Sequence, residues 1–304
     1  MEWFVTLDKS VSIGLALLLG LLVGSFINVV VVRVPPRLHR QWLKACQDTL
    51  IDSSNTPVDH ASDAFNGFAA NQPEDEALPN LWWPRSHCPK CKHPIAFYDN
   101  IPVISWLILK GRCRHCDAPI SARYPIIEIL TALLWMIVVW KMGWSLEALS
   151  VCAATSVLVA LSAIDLEHQI LPDVMTLGLM WLGLLINAHF QWFASSADAI
   201  IGAASGYIFL WLIFQGYFLL RGKEGLGFGD LKLLAALGAW VGWSLLPFIV
   251  FVGSVLGVIV ASQKILVSKQ SRDVPIAFGP YLAIAGWIAL VWGSEIEHWL
   301  FPLS

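Results

Sequence analysis

The stretch VSIGLALLLGLLVGSFINVVVV, residues 11–32, decides the fold class. It contains no charged side chain, and its only polar side chains are Ser12, Ser25 and Asn28. A helix needs about 20 mostly apolar residues to cross the hydrocarbon core of a bilayer, and this run meets that length. It is too long for the apolar region of a cleavable signal peptide. Its N-terminal flank carries only Lys9, and no small-residue cleavage site follows it. It is therefore expected to remain as a spanning helix.

Seven further apolar stretches follow, near 124–140, 146–164, 171–190, 198–220, 231–247, 249–267 and 276–294. The fold class expected is an all-α polytopic membrane protein of about eight transmembrane helices. Pro247 lies in an unbroken apolar run, which leaves the division of 231–267 open. Composition agrees. The 304 residues are 57% hydrophobic and only 13% charged, against about 25% charged in soluble domains. Mean hydropathy is +0.66. The sixteen tryptophans suit a chain with two membrane interfaces. The net charge of −3 discriminates between no partners.

Lys and Arg set the orientation. With eight spans and the N-terminus outside, the outer segments hold only Lys9 and Lys141. The inner segments hold Arg33, Arg37, Arg40, the basic residues from Lys44 to Arg123, Arg221, Lys223, Lys232, Lys264, Lys269 and Arg272. That asymmetry is the positive-inside pattern. It divides the chain into a first transmembrane helix (1–32), a cytoplasmic insert (33–123) and a transmembrane bundle (124–304).

The insert has two parts. Residues 41–80 set Asp48, Asp52, Asp59, Asp63, Glu74, Asp75 and Glu76 against Lys44. They show little periodicity and read as a long, partly irregular solvated loop, or as an acidic docking surface for a basic partner. The second part, HCPKCKHPIAFYDNIPVISWLILKGRCRHCDAPIS, pairs Cys88 with Cys91 and Cys113 with Cys116. Two such knuckles bring four thiolates to one point, a structural zinc site with no open position for chemistry. The basic neighbours Lys90, Lys92, Arg112 and Arg114 favour thiolates, and a reducing face disfavours disulfides. Cys46 and Cys152 lie outside the pattern. Zinc knuckles also occur in nucleic-acid binders, but the basic residues here are those that topology requires, so no nucleic-acid partner is expected.

Carboxylates stand near the ends of apolar runs. SAIDLEHQILPD (162–173) carries Asp165, Glu167 and Asp173, and GLGFGDLKLLAAL (225–237) carries Asp230. On the expected topology all lie at the cytoplasmic face. Asp230 alone would serve as a helix cap, and Asp165 alone as an interfacial charge. Together they are functional candidates, because ionisable groups at the rim of a bundle are costly. Gly227 and Gly229 are read as allowing positive φ and the close approach of a second backbone.

These blocks, in this order, resemble the type IV prepilin peptidase family. The resemblance rests on GSFINVVVVRVP (24–35), WWPRSHCPKCKHPI (82–95), NIPVISWLILKGRCRHCDAPISARYPIIE (100–128), AIDLEHQILPD (163–173) and GFGDLKLLAALGAW (227–240). No signature residue is missing. Residues 41–80 and the C-terminal spans match only loosely. The resemblance implies an aspartic endopeptidase of the bacterial inner membrane that removes basic leaders from prepilins and pseudopilins, in type IV pilus biogenesis and type II secretion. Asp165 and Asp230 are then the catalytic pair. Gly227, Gly229, Glu167 and Asp173 are supporting residues, and Glu167 and Asp173 are the alternative partners for Asp230.

The resemblance also implies methylation of the new N-terminus with S-adenosylmethionine as donor. No residue is assigned to that cofactor, and GLGFG is not a nucleotide fingerprint, because no strand precedes it. Some relatives lack the cysteine region and cleave without methylating, so its presence favours the bifunctional enzyme. Membrane lipid is the other expected contact. The alternatives are a membrane-anchored zinc-knuckle binding protein and a transporter; a transporter would need polar groups at the midplane.

Overall fold

The computed structural model describes residues 8–52, 80–222, 225–268 and 277–300. Asp59, Asp63, Glu74, Asp75 and Glu76, which carry most of the acidic reading of 41–80, lie outside the described residues. Among the described residues there are eight long helices: α1 (Lys9–Asp52), α2 (Arg123–Met142), α3 (Leu146–His168), α4 (Asp173–His189), α5 (Ser196–Arg221), α6 (Phe228–Val241), α7 (Leu246–Ser268) and α8 (Gly279–Leu300). Each expected apolar stretch falls on one of them. Among the described residues there are no strands, only the isolated bridges His87–Pro94 and Arg112–Pro119.

The count of spans is smaller than the count of helices. α1, α2, α3, α5 and α7 are long and apolar enough to cross a membrane. α4 has 17 residues and α6 has 14. At 1.5 Å per residue α6 is about 21 Å long, short of the roughly 30 Å hydrocarbon core. The open boundary in 231–267 falls at Gly242, whose φ of 78° ends α6. Pro247 then sits in the first turn of α7, where its missing N–H costs nothing.

A second difference concerns α1. Proline reads as a helix stop, yet α1 continues through Pro35 and Pro36 to Asp52. Residues 41–52 are helical, not irregular loop. The segment after the prolines, RLHRQWLKACQDTLID, is rich in good helix formers.

α6 occupies the centre, packed by α4, α5, α7 and α8. Leu231, Leu233, Leu234, Leu237 and Trp240 are buried and meet Leu161, Leu179 and Leu282 in one core. A helix apolar on every side belongs inside a bundle. Gly202 of α5 and Gly238 of α6 face each other so closely that a Cβ on either would strike the other's carbonyl. Two backbones thus touch, as small residues permit between membrane helices.

The C-terminal end of α6 is closed by a side chain from another helix. Asn187, fully buried in α4, donates to the carbonyls of Ala239 (2.9 Å) and Trp240 (2.8 Å). Its Oδ1 accepts from the N–H groups of Phe193 and Ala194. The last carbonyls of a helix have no partner within it, and Asn187 supplies donors to two of them here. Asn187→Leu is therefore expected to destabilise the protein by about 1–3 kcal/mol for each buried group left unpaired. Equilibrium unfolding in detergent measures this, and a neutral result would remove the role given to Asn187.

Candidate active site and metal centre

Asp165 closes α3. Its backbone carbonyl accepts from the N–H of Gln169, which adopts the left-handed conformation (φ 55°) and turns the chain back. The chain then delivers Leu171 and Pro172, and Pro172 leads into α4. Asp230 lies in the first turn of α6, where its N–H donates to Gly227 (3.1 Å). Both carboxylates are buried, at 6% and 7% exposure. They are close enough for the charge of Asp165 to act on Asp230.

A third element completes the cluster. The N–H of Gly279, first residue of α8, donates to Asp165 Oδ2 (3.1 Å). The positive end of α8 thus meets a carboxylate. Tyr281, two residues on, is also buried and within reach of the Asp165 charge. Leu171 packs between the two halves: a Cβ on Gly229 would lie 2.7 Å from Leu171 Cβ, and one on Gly279 would lie 3.2 Å from its Cδ1 and 2.6 Å from Asp165 Oδ2. Asp230 Oδ1 is buried and accepts no hydrogen bond from the described residues.

The site is recessed. Gly206 of α5 packs on Leu234 of α6, and Gly202 packs on Gly238, so Asp230 is level with about residue 210. α5 continues to Arg221, roughly 16 Å further at 1.5 Å per residue.

The glycines act differently from the expectation. Gly227 has φ −76° and Gly229 is helical, so neither uses positive φ. Gly229 must lack a side chain because Leu171 occupies the space. The close approach is by the chain's own α3–α4 connection. A Cβ on Gly227 would stand 3.4 Å from Asp230 Oδ2, an ordinary contact, so packing there does not require glycine.

Glu167 and Asp173 stand apart from the pair. Glu167 accepts both its bonds from Arg123 Nη1, at 2.6 and 2.5 Å, tying α3 to the start of α2. Asp173 pairs with Lys232 at 2.6 Å, tying α4 to α6. Sequence reasoning missed Leu171, Gly279 and Tyr281. The run Phe278-Gly-Pro-Tyr281 before an apolar stretch carries a helix-start signal, but nothing in it names Asp165.

The four cysteines do converge. Cys88, Cys91, Cys113 and Cys116 place their sulfurs within 4.8 Å of one another, with Cys88 and Cys116 3.8 Å apart. Four sulfurs at about 2.3 Å from a tetrahedral metal are about 3.8 Å from each other, so the set fits such an ion. Two matching turns build it. Cys88 N–H donates to His93 and Cys113 N–H to Ala118, both at 2.9 Å. Lys92 and Asp117, each following the second cysteine of its pair, share left-handed φ of 59° and 52°. The backbone N–H groups of Cys91 and Lys90 bring the Cys88 thiol down to about 6. The N–H of Ala118 acts to lower Cys116, yet desolvation and the three neighbouring sulfurs push it up to about 12. Crowded thiols of this kind lose their protons together when a cation replaces them.

Two family descriptions match the chain: "Bacterial Peptidase A24 N-terminal domain" over residues 18–142 and "Type IV leader peptidase family" over 152–262. A prepilin leader peptidase/N-methyltransferase of Aeromonas salmonicida (strain A449) is 48% identical over 288 residues, 94% of this chain and 92% of the relative. One of Pseudomonas aeruginosa is 45% identical over 283 residues, 93% and 91% of the two chains. One of Neisseria gonorrhoeae is 42% identical over 295 residues, 95% of each. This chain belongs to the type IV leader peptidase family. The N-terminal match contains the four cysteines and the second contains Asp165 and Asp230, whereas Gly279 lies beyond both. No solved structure matches the chain.

Single Cys→Ser changes at 88, 91, 113 or 116 are each expected to empty the metal centre of this leader peptidase, read by elemental analysis of the purified protein. Cys46→Ser and Cys152→Ser are expected to retain the metal. Metal bound undiminished in any of the four variants would remove that cysteine from the set.

Proposed function

We propose that this protein removes the leader from prepilins and pseudopilins at the cytoplasmic side of the bacterial inner membrane, using Asp165 and Asp230, and then methylates the new N-terminus. The relatives' shared name, prepilin leader peptidase/N-methyltransferase, supports both reactions and implies S-adenosylmethionine as methyl donor. The observation that carries the catalytic assignment is the meeting of two buried carboxylates from different helices, with the N-terminus of a third helix bonded to one of them.

Two adjacent carboxylates cannot both ionise cheaply, so the pair holds one proton and titrates as a unit. The ionised member takes a proton from a water, and the protonated member donates a hydrogen bond to the scissile carbonyl. Water oxygen adds to the carbonyl carbon to give a tetrahedral intermediate. The C–N bond then breaks as the leaving amine receives a proton from the pair. No covalent enzyme intermediate forms. The Gly279 N–H holds Asp165 Oδ2 in place, and the unshared Oδ1 of Asp230 is available to water or substrate.

The insert lies at the same end of the bundle as the pair. Asn28 of α1 donates to the carbonyl of Tyr124 (3.1 Å), and Arg123 reaches Glu167 at the end of α3. The Lys and Arg distribution supports a cytoplasmic assignment for that end. Zinc is the metal favoured by four thiolates in tetrahedral array, with a structural role.

Asp165→Asn and Asp230→Asn are each expected to lower cleavage of a synthetic prepilin segment by at least about 10³-fold, while a pre-cleaved peptide is still methylated; mass spectrometry reads both products. Full cleavage by either variant would remove that residue from the pair. Glu167→Gln and Asp173→Asn break partly exposed ion pairs of modest value and are expected to retain cleavage within about tenfold, about 1.4 kcal/mol in the barrier. A complete loss in either would make that residue the partner instead.

A further inference from the structure

Two of the contacts that hold the cysteine insert to the membrane helices lie within the depth of the apolar run of α1. The register between α1 and α2 is fixed by three contacts. Asn28 donates to Tyr124, and Cβ atoms on Gly24 and Gly20 would meet Glu128 Cα and Ala132 Cα at 2.7 and 2.6 Å. Glu128 is therefore level with Gly24. That level is eight residues inside Val32, the last residue of the apolar run, or about 12 Å along the helix.

The backbone N–H of Val103 donates to Glu128 Oε2 at 2.7 Å. Val103 has φ 59°, a costly conformation for a β-branched residue, so the chain is held there by its surroundings. At the second point Trp82 packs on Phe26 of α1 with its ring tilted by 32°, ring centroids 5.8 Å apart. Arg33 fixes the same stretch by donating to the carbonyls of Asn80, Leu81 and Pro84.

Around these anchors the insert shows large apolar side chains. Trp82 and Trp83 are 83% and 71% exposed. The one-turn helix Ile104–Ile108 begins beside Val103. Ile104, Leu107 and Ile108 share one face of it by spacing, and all three are exposed, Leu107 and Ile108 at 62% and 69%. Lys110, Arg112 and Arg85 follow these apolar groups directly in sequence. Apolar and tryptophan side chains beside basic ones suit the boundary between acyl chains and anionic headgroups. Trp82 joins the exposed surface of α1 through Phe26, itself exposed.

We propose that the insert is seated in the membrane leaflet at the catalytic end, with Trp82, Trp83 and the face formed by Ile104, Leu107 and Ile108 in contact with phospholipid. The metal knuckles are then held at a fixed height over the bundle. Lipid contact here is independent of which carboxylates do the chemistry.

The unmodified, full-length protein tests this directly. It is placed in nanodiscs of phosphatidylethanolamine and phosphatidylglycerol that include a phospholipid with a diazirine on its acyl chain, irradiated, digested and mapped by mass spectrometry. The expected result is labelling of residues 104–108 and 82–83 comparable to that of the exposed α1 residues Leu18 and Leu22, and several-fold above that of the knuckle 112–118. Labelling of 104–108 no higher than the knuckle would overturn the proposal. It would show that water, residues 53–79 or a second copy of the chain covers this face.

Discussion

Burying two carboxylates in the interior of a membrane bundle is the constraint around which the rest of this structure is arranged. A charge placed there costs free energy unless the protein supplies groups to meet it. α6 makes the burial unavoidable. It is only 14 residues long and is enclosed by its neighbours, so its first turn, with Asp230, starts inside the bundle. The first N–H of α8 is brought to Asp165. Leu171 then fills the space against Gly229 and Gly279. Each device is small, and together they fix both buried acids about Leu171.

The same constraint explains the helix packing. α6 can sit centrally only if its neighbours come close, which the Gly202–Gly238 contact allows. At its C-terminal end, Asn187 supplies donors to the carbonyls of Ala239 and Trp240. The two ends of α6 therefore carry opposite solutions. At one end a polar side chain satisfies every group it meets. At the other, Asp230 Oδ1 has no hydrogen-bond partner among the described residues.

The apolar helices and the cysteine cluster were legible because each rests on local pattern, apolar length and paired thiols at fixed spacing, whereas Asp165 and Asp230 were joined as a pair by the family resemblance. What escaped depends on tertiary contact. Proline at 35 and 36 predicts a stop, but the residues after it favour helix and α1 runs on. Gly229 announces flexibility in a sequence and instead makes room for Leu171, 58 positions away by number. Gly279 could not be linked to Asp165 across 114 residues, since a backbone N–H has no residue signature. The short length of α6 was hidden because Gly242 ends it within an unbroken apolar run.

The insert and the bundle form one unit through Arg33 and Glu128, which join residues 80–84 to α1 and Val103 to α2. These hydrogen bonds fix the height of the metal knuckles relative to the bundle. The proposed hydrolysis requires Asp165 and Asp230 to act as a single unit. A double-mutant cycle with Asp165→Asn, Asp230→Asn and the combined variant, read as single-turnover cleavage, tests this most directly. The combined variant is predicted to be no slower than either single variant, because removing one member already disables the pair. Losses that multiply would show two independent contributions and would contradict a shared catalytic pair.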